Sequence, residues 1–402
     1  MRNTRIVGTR NACPLGRDWF GDGQLPSRVI AHGSDASVEQ AIGNAASTLL
    51  GARRALVYLA GDLSCETQGV GVGIADQLHA SLDTLTTATA RSGILAAQRR
   101  GRATATLGEV RNRADTLLFW GVDPARRYPR YTTRYAPDVE GLFVPDGRSG
   151  RLVIGVDVGE SAAPADVNER VRFSDGEEVA ALTLMRAAAL GRPTEGTSPD
   201  DLATRALGLA RRLMAARYAV IVHDGESSST SAHASVRAEA LVTLAQALNR
   251  GTRCALSTLR GGNNRSGADA VLTWQTGYPL AVDFARGVPR YRPAEGAGAL
   301  LESGAIDVAL VLGAAATIPP AVASMLAHVT TIIIGPRASE SGFAPDVAID
   351  TGVAGIHEGG IAMRMDEVPL PLRPSLAGAT DALRVVTALA QRLHIRASEH
   401  AA

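Results

Sequence analysis

The chain has 402 residues, 46% of them hydrophobic and 20% charged. That length holds two to three domains at ~150 residues each, with enough apolar material for sizeable cores. Its 41 cations, all arginine, face 40 acids for a net charge of +1, which excludes the basic surplus of a nucleic-acid binder.

From the N-terminus, "MRNTRIVGTRNACPLG" lacks the apolar core of a signal peptide. Strand candidates follow in chain order. "ALVYLAGD" (55–62) leads into the helical "GVGIADQLHASL", and "ADTLLFWGVDP" (114–124) ends in a glycine turn. "RLVIGVDV" (151–158) comes next, then a polar loop, "GRPTEGTSPDD" (191–201). "YAVIVHDG" (218–225) precedes the helical "SVRAEALVTLAQAL", and "IDVALVLGAAA" (306–316) and "VTTIIIGP" (329–336) complete the series. Apolar strands without alternation, interleaved with helices, predict an α/β fold whose parallel sheets are covered on both faces. The run 305–330 is broken by Asp307, Pro319, Pro320 and His328, so it does not read as a membrane span.

One piece occurs twice. Asp115 and Gly121 are spaced like Asp307 and Gly313, and Ser161 to Asp166 is spaced like Ser341 to Asp346. A strand–helix–strand unit lies upstream of each copy, at 55–86 and 218–258. Residues ~53–180 and ~217–365 therefore read as two versions of one α/β half. Open parallel sheets bind ligands at the carboxyl ends of their strands, so two facing halves predict a crevice there. The second copy loses the Asp123–Pro124 pair and has alanines after Gly313 instead.

Cys13, Cys65 and Cys254 are scattered singly, without metal or disulfide spacing, which fits a reducing, cytoplasmic setting. The eight histidines, His32, His79, His223, His233, His328, His357, His394 and His400, show no paired-ligand spacing and read as structural. Gly69, Gly71 and Gly73 in "CETQGVGVGIADQ" read as lying between a strand and a helix, where a phosphate cradle or tight turning with close helix packing would use them. Their spacing is not that of a dinucleotide fingerprint, so they read as tight helix packing, and a nicotinamide-dependent enzyme is disfavoured. In "LRGGNNRSGA" (259–268), Asn263, Asn264 and the glycines expose backbone N–H groups, while Arg260 and Arg265 suit a phosphate or carboxylate. An ordinary Asn/Gly turn accounts for the same residues equally well. "TGYPLAVDFARGVPRYRPAEG" (276–296) reads as a fixed irregular segment. Arg99, Arg100 and Arg102 form one basic cluster; Arg126, Arg127, Arg130 and Arg134 form another. Such runs are by default solvated faces, or else contacts for an acidic partner.

The segments 106–131, 260–268, 276–291 and 359–369 together resemble the B subunit of formylmethanofuran dehydrogenase, in the molybdopterin/tungstopterin oxidoreductase superfamily. The resemblance implies two pseudo-symmetric Rossmann-like domains that clamp two pterin-guanine dinucleotides. It divides the chain into a degenerate remnant of an iron–sulfur domain (1–30), a first α/β domain (31–108 with 260–402) and a second (109–259). The departures are specific. Of the family's N-terminal cysteine cluster only Cys13 remains, and a four-iron centre needs four ligands. Residues 86–101, where the family carries the metal-binding cysteine or selenocysteine, read "TTATARSGILAAQRRG". The family's Asp-Pro-Arg motif is Asp157-Val158-Gly159 here.

That pattern resembles the B subunit of the bacterial formyltransferase/hydrolase complex of methylotrophs, which passes formyl groups from tetrahydromethanopterin to methylofuran and on to formate. The resemblance implies a structural subunit with no catalytic residue, metal or cofactor of its own, assembled with the A, C and D subunits. Asp123, Asp157, Arg260, Asn263 and Asn264 become degenerate remnants of pterin sites. Arg99, Arg100, Arg102, Arg126, Arg127 and Arg130 become candidate contacts for partners or for the polyglutamate tail of methylofuran. An active tungsten- or molybdenum-dependent dehydrogenase subunit is the alternative.

Overall fold

The computed structural model describes residues 27–193, 201–226, 234–376 and 380–401, with isolated positions before residue 27. Most of the expected N-terminal remnant, Cys13 included, lies outside the described residues, as do 194–200 of the polar loop and His233.

In chain order the strands are β1 (Val29–Ala31), β2 (Ser34–Asp35), β3 (Ala55–Leu59), β4 (Ser81–Thr84), β5 (Thr116–Trp120), β6 (Leu152–Val158), β7 (Glu169–Phe173), β8 (Tyr218–Asp224), β9 (Arg253–Leu259), β10 (Val282–Asp283), β11 (Arg290–Tyr291), β12 (Val308–Leu312), β13 (Thr330–Gly335), β14 (Val347–Asp350), β15 (Gly360–Met363) and β16 (Pro369–Leu372). The helices are α1 (Val38–Leu50), α2 (Cys65–Gln77), α3 (Thr87–Arg100), α4 (Leu107–Arg113), α5 (Pro124–Arg127), α6 (Tyr131–Arg134), α7 (Glu178–Ala189), α8 (Asp201–Ala215), α9 (Ala234–Leu248), α10 (Arg265–Thr276), α11 (Ala297–Glu302), α12 (Pro320–Leu326) and α13 (Ala382–Ala401). Local chemistry sets several starts. Ser37 and Gln40 close a capping box on α1, and Thr106 and Glu109 close one on α4.

The chain divides into two compact units, residues 1–91 with 262–402 and residues 92–261. The first holds a nine-stranded sheet in the order β11-β10-β4-β3-β12-β13-β14-β1-β2. Its five central strands are parallel and its edges antiparallel. Successive residues of β3 feed opposite faces. Val57 and Leu59 pack with α1, α2 and α13, whereas Leu56 and Tyr58 pack with α11 and α12. Burial on both sides is why these strands read as unbroken apolar runs, each large side chain contributing about 1.5–3 kcal/mol. The segment 276–296, expected to be irregular, supplies the short strands β10 and β11 at the sheet edge, with Tyr278 stacked on Tyr291.

The second unit holds a wholly parallel sheet in the order β7-β6-β5-β8-β9, with α7, α8 and α9 supplying one apolar layer. Residues 92–108 pack with this unit. Arg99 and Arg100 pair with Glu239, Gln246 donates to the Arg100 carbonyl, and Leu256 N–H donates to the Ala103 carbonyl. The division therefore falls within α3, earlier than the expected 108/109.

Reading β14-β13-β12-β3-β4 in the first sheet against β7-β6-β5-β8-β9 in the second gives the same strand order. The halves have traded sheets. The strand–helix–strand unit at 55–86 pairs with the second copy of the repeat, and the one at 218–258 pairs with the first. The repeated residues do the same work in each sheet. Asp115 accepts the Arg217 and Tyr218 amides at the start of β8; Asp307 accepts the Arg53 and Arg54 amides at the start of β3. Gly121 N–H donates to the Val156 carbonyl, and Gly313 N–H to the Ile334 carbonyl, both at 2.8 Å. The Ser161–Asp166 and Ser341–Asp346 spacing is corrected by two residues. Asn168, not Asp166, matches Asp346, since Asn168 accepts the Val153 amide and Asp346 the Thr331 amide.

Candidate functional site

In a sheet ordered β7-β6-β5-β8-β9, connections leave β5 and β8 in opposite directions, which leaves a topological switch point at their carboxyl ends. Gly121, at φ +58°, turns the chain off β5. Asp123 then caps α5 by accepting the Ala125 amide, and Pro124 fills the first helical turn, where no N–H is needed. The Asp-Pro pair is thus a helix start, and its effect is to place Arg127 over the end of β8. Arg127 binds Asp224 with both terminal nitrogens, Nη1 to Oδ1 and Nη2 to Oδ2, each at 2.9 Å. Burial lowers the Arg127 pKa, but the Asp224 hydrogen bond and charge outweigh it and raise it overall.

Asp224 Oδ1 also accepts the Glu226 amide, and buried Glu226 accepts Arg260 Nε at 2.7 Å. Gly225 joins the two acids because a Cβ there would stand 2.2 Å from Thr258 Cγ2. Next to them, His223 sits between the Thr258 hydroxyl and the Asp224 carbonyl. Burial foremost, with Arg237 and Arg102, pushes its pKa down to about 3, so the ring is neutral at physiological pH. Asp157, at the end of β6, accepts the Ala163 amide and both Arg170 and Arg172. Burial raises its pKa, but these donors outweigh it and hold the carboxylate below its usual range.

The first unit has its own switch point, between β12 and β3, closed by backbone. Ala314 N–H donates to the Gly61 carbonyl, and Gly61 N–H donates to the Thr317 hydroxyl at 2.8 Å. Where the first copy has Asp123–Pro124, the second has alanines after Gly313 and passes through a short 3-10 turn, Ala315–Thr317, to this Thr317 contact. Asn263 and Asn264 both adopt left-handed φ, at +62° and +55°. Asn263 donates to Asp62; Asn264 donates to the Leu63 carbonyl and accepts the Met363 amide. They lash α10 to the β3 turn and to β15. Gly69, Gly71 and Gly73 lie inside α2, where a Cβ on Gly71 would meet Leu312 at 2.6 Å.

The arginine clusters do not gather in one place. Arg99 and Arg100 share Glu239 at the rim of a groove of about 380 Å3 between α3, α7 and α9, which Arg186 also lines. Arg102 and Arg130 are half-buried, and Arg126 is 73% exposed and 4.0 Å from Asp123. Sequence reasoning missed Asp224 and Glu226. Their signal was an Asp-Gly-Glu at a strand end, overlooked because acids at loop starts are common caps.

Near the first unit's sheet, Glu358 caps α13 by accepting the Ala382 amide. Burial first, and then Asp381, raises its pKa to about 7; burial likewise raises Asp83 to about 6. A carboxyl whose folded pKa exceeds its unfolded value stabilises most below the unfolded pKa and loses that contribution as pH rises. Stability should therefore fall between about pH 4.5 and 7, with Glu358 contributing on the order of 2 kcal/mol. Glu358→Gln should flatten that fall in urea titrations at pH 5 and pH 8; an unchanged slope would contradict it.

No family model matches the chain. It is 31% identical over 392 residues to the B subunit of tungsten-containing formylmethanofuran dehydrogenase 2 from Methanococcus maripaludis, covering 93% of this chain and 89% of that one. The subunit of the same name from Methanocaldococcus jannaschii is 31% identical over 389 residues, at 93% and 88% coverage. The B subunit of the formyltransferase/hydrolase complex Fhc of Methylorubrum extorquens is 29% identical over 336 residues, at 82% and 86%. A chain in the crystal structure of the formyltransferase/hydrolase complex FhcABCD from Methylorubrum extorquens, in complex with methylofuran, superimposes with a TM-score of 0.75 at 25% identity, over 92% of this chain and 99% of that one.

Proposed function

The chain belongs to the family of formylmethanofuran dehydrogenase B subunits, and from that membership we propose that it is a non-catalytic, structural B subunit of a cytoplasmic formyltransferase/hydrolase complex. In this reading it assembles with A, C and D subunits, which carry out formyl transfer and hydrolysis. Its two units, whose sheets have matching strand order, descend in this reading from the two pseudo-symmetric, Rossmann-like domains that the resemblance implies, and neither keeps a dinucleotide. No described helix is long and apolar enough to cross a membrane.

The observation that carries this reading is the thiol inventory. The metal–pterin group of the dehydrogenases needs a thiolate or selenolate from the segment that here forms α3, and residues 86–101 contain none. The described cysteines do not replace it. Cys65 and Cys254 are buried free thiols whose pKa burial raises, that of Cys254 to about 12, so neither is poised as a thiolate. The residues present do not fit the group. Elemental analysis of the complex from its native host should give tungsten, molybdenum and iron far below one atom per chain. Stoichiometric tungsten or molybdenum would establish the second reading, an active dehydrogenase subunit. That reading is favoured by the 31% identity over 93% of the chain with tungsten-containing relatives.

The acidic-tail role, proposed for Arg99, Arg100, Arg102, Arg126, Arg127 and Arg130, narrows with the geometry. Arg127, Arg99 and Arg100 already hold carboxylates, whereas Arg126 projects into solvent. Arg126→Glu should slow turnover of a long-tailed furan substrate several-fold and leave a tail-less one unchanged. Equal rates with both substrates would remove the tail contact.

A further inference from the structure

We propose that the groove between α3, α7 and α9 is a docking surface for an acidic amphipathic helix of another subunit of the complex. The inference rests on the reading of the chain as a B subunit, and every residue it uses lies in the second unit.

Three observations carry it. The first is shape. On α7 the lining residues Val179, Leu182 and Arg186 are spaced i, i+3, i+7, and on α9 Val236, Ala240 and Thr243 are spaced i, i+4, i+7. Each set marks one helix face, so the groove follows both helices for about two turns, ~10 Å. A trough of that form receives a third helix, whose side chains enter between the ridges of the first two. The second is the apolar lining. Leu182 is buried, Val179 and Ala240 are half-buried, and Val236 is 51% exposed. An apolar wall this open gains from being covered. The third is charge. Arg99 and Arg100 stand in the last turn of α3 and Arg186 in the last turn of α7, while the lining holds one acid, Glu239, which Arg99 and Arg100 share. Three cations against one anion leave a surplus of two positive charges. The Arg99 and Arg100 side chains are 51% and 53% exposed, so both still face solvent. Guanidinium forks take carboxylates in bidentate pairs. A bare polyanion would only compete with Glu239 for those forks. A helix with Glu or Asp beside an apolar stripe answers the charge and covers Val179, Val236 and Ala240 together, which is why the occupant is an amphipathic helix.

The test uses the assembled complex from its native host, with p-benzoylphenylalanine in place of Val236. Irradiation should cross-link it to a helical segment of an A, C or D subunit, identified by mass spectrometry, that carries at least two acids beside an apolar stripe. In a second complex, Arg99→Glu with Arg186→Glu should release the cross-linked subunit at a several-fold lower salt concentration than the parent does. Arg99→Lys with Arg186→Lys keeps the charge and should hold that subunit nearly as the parent does. Both sites are exposed, and a urea midpoint matching the parent's shows that each variant is folded. A cross-link within this chain or to a second copy of it, a cross-linked segment without acids, no cross-link at all, or a charge-reversed complex as salt-stable as the parent overturns the proposal. The two failures are distinguishable. A chain that purifies without A, C or D subunits refutes the B-subunit reading and this inference with it. A complete complex that gives none of the expected results refutes the inference alone.

Discussion

Arg151→Ala is expected to lower the stability of the second unit by about 4 kcal/mol, the sum of a core cavity and several orphaned carbonyls. Arg151 is 3% exposed, and among the described residues its hydrogen bonds go to backbone carbonyls. Its guanidinium donates to the carbonyls of Ala114, Pro137, Val139 and Arg111. One side chain therefore gathers the end of α4, the approach to β5 and the loop before β6. That loop is a long crossover. Between β5 and β6 the chain runs from Gly121 to Arg151, whereas between β12 and β13 it needs only Gly313 to Val329. Asn112 holds the far side, accepting the Leu142 amide on its side chain and the Phe143 amide on its backbone carbonyl. The variant should shift the urea midpoint downward, and the Leu142 and Phe143 amides should exchange hydrogen far faster. Arg151→Lys should recover only part of the loss, because an ammonium cannot reach four carbonyls spread around a planar fork. A midpoint shift worth less than about 0.5 kcal/mol, the size of an ordinary surface substitution, would show that the loop holds itself.

Arg151 also shows where sequence reading runs out. In "GRSGRLVIG" it looks like one more solvated cation before a strand, and nothing local says that four carbonyls converge on it. The strands were legible because burial on both faces leaves unbroken Val, Ile and Leu runs, as in β8 and β12. The repeat was legible because Asp115 and Asp307 bind the first amides of a neighbouring strand, a task with few substitutes. The two-residue slip at Asn168 arose because Asn and Asp accept an amide equally well, so spacing of identical letters misled. The candidate site was half-legible. Arg127 and Arg260 were singled out, but the acids that satisfy them, Asp224 and Glu226, are about 100 and 34 residues away in sequence, and a long-range ion pair leaves no local pattern.

The other large effect is expected at Gly335. Gly335→Ala should cost about 3 kcal/mol, the upper end for overpacking, because every obstacle is backbone. A Cβ there would lie 2.2 Å from the Gly313 carbonyl oxygen, 2.3 Å from its carbon and 2.7 Å from its Cα. Gly313 cannot retreat. It sits at φ +119°, and its own flank lies against Gly61 and Ala60. Gly61 in turn is held by Ala314 and Thr317. The three glycines thus let β13, β12 and β3 end in direct backbone contact, with the Thr317 hydroxyl holding Gly61, and so close the first unit's switch point. Helix glycines in the same unit make the control. Gly73→Ala in α2 has nothing within 4 Å of the new methyl and should stabilise by about 0.5–1 kcal/mol. Gly71→Ala meets only the tips of Leu312 and Leu59 and should fall between the two. Urea unfolding of the three variants should rank them Gly73→Ala, Gly71→Ala, Gly335→Ala from most to least stable. A Gly335→Ala protein as stable as the parent would mean that the three turns are not in contact, and that the first switch point is open rather than sealed.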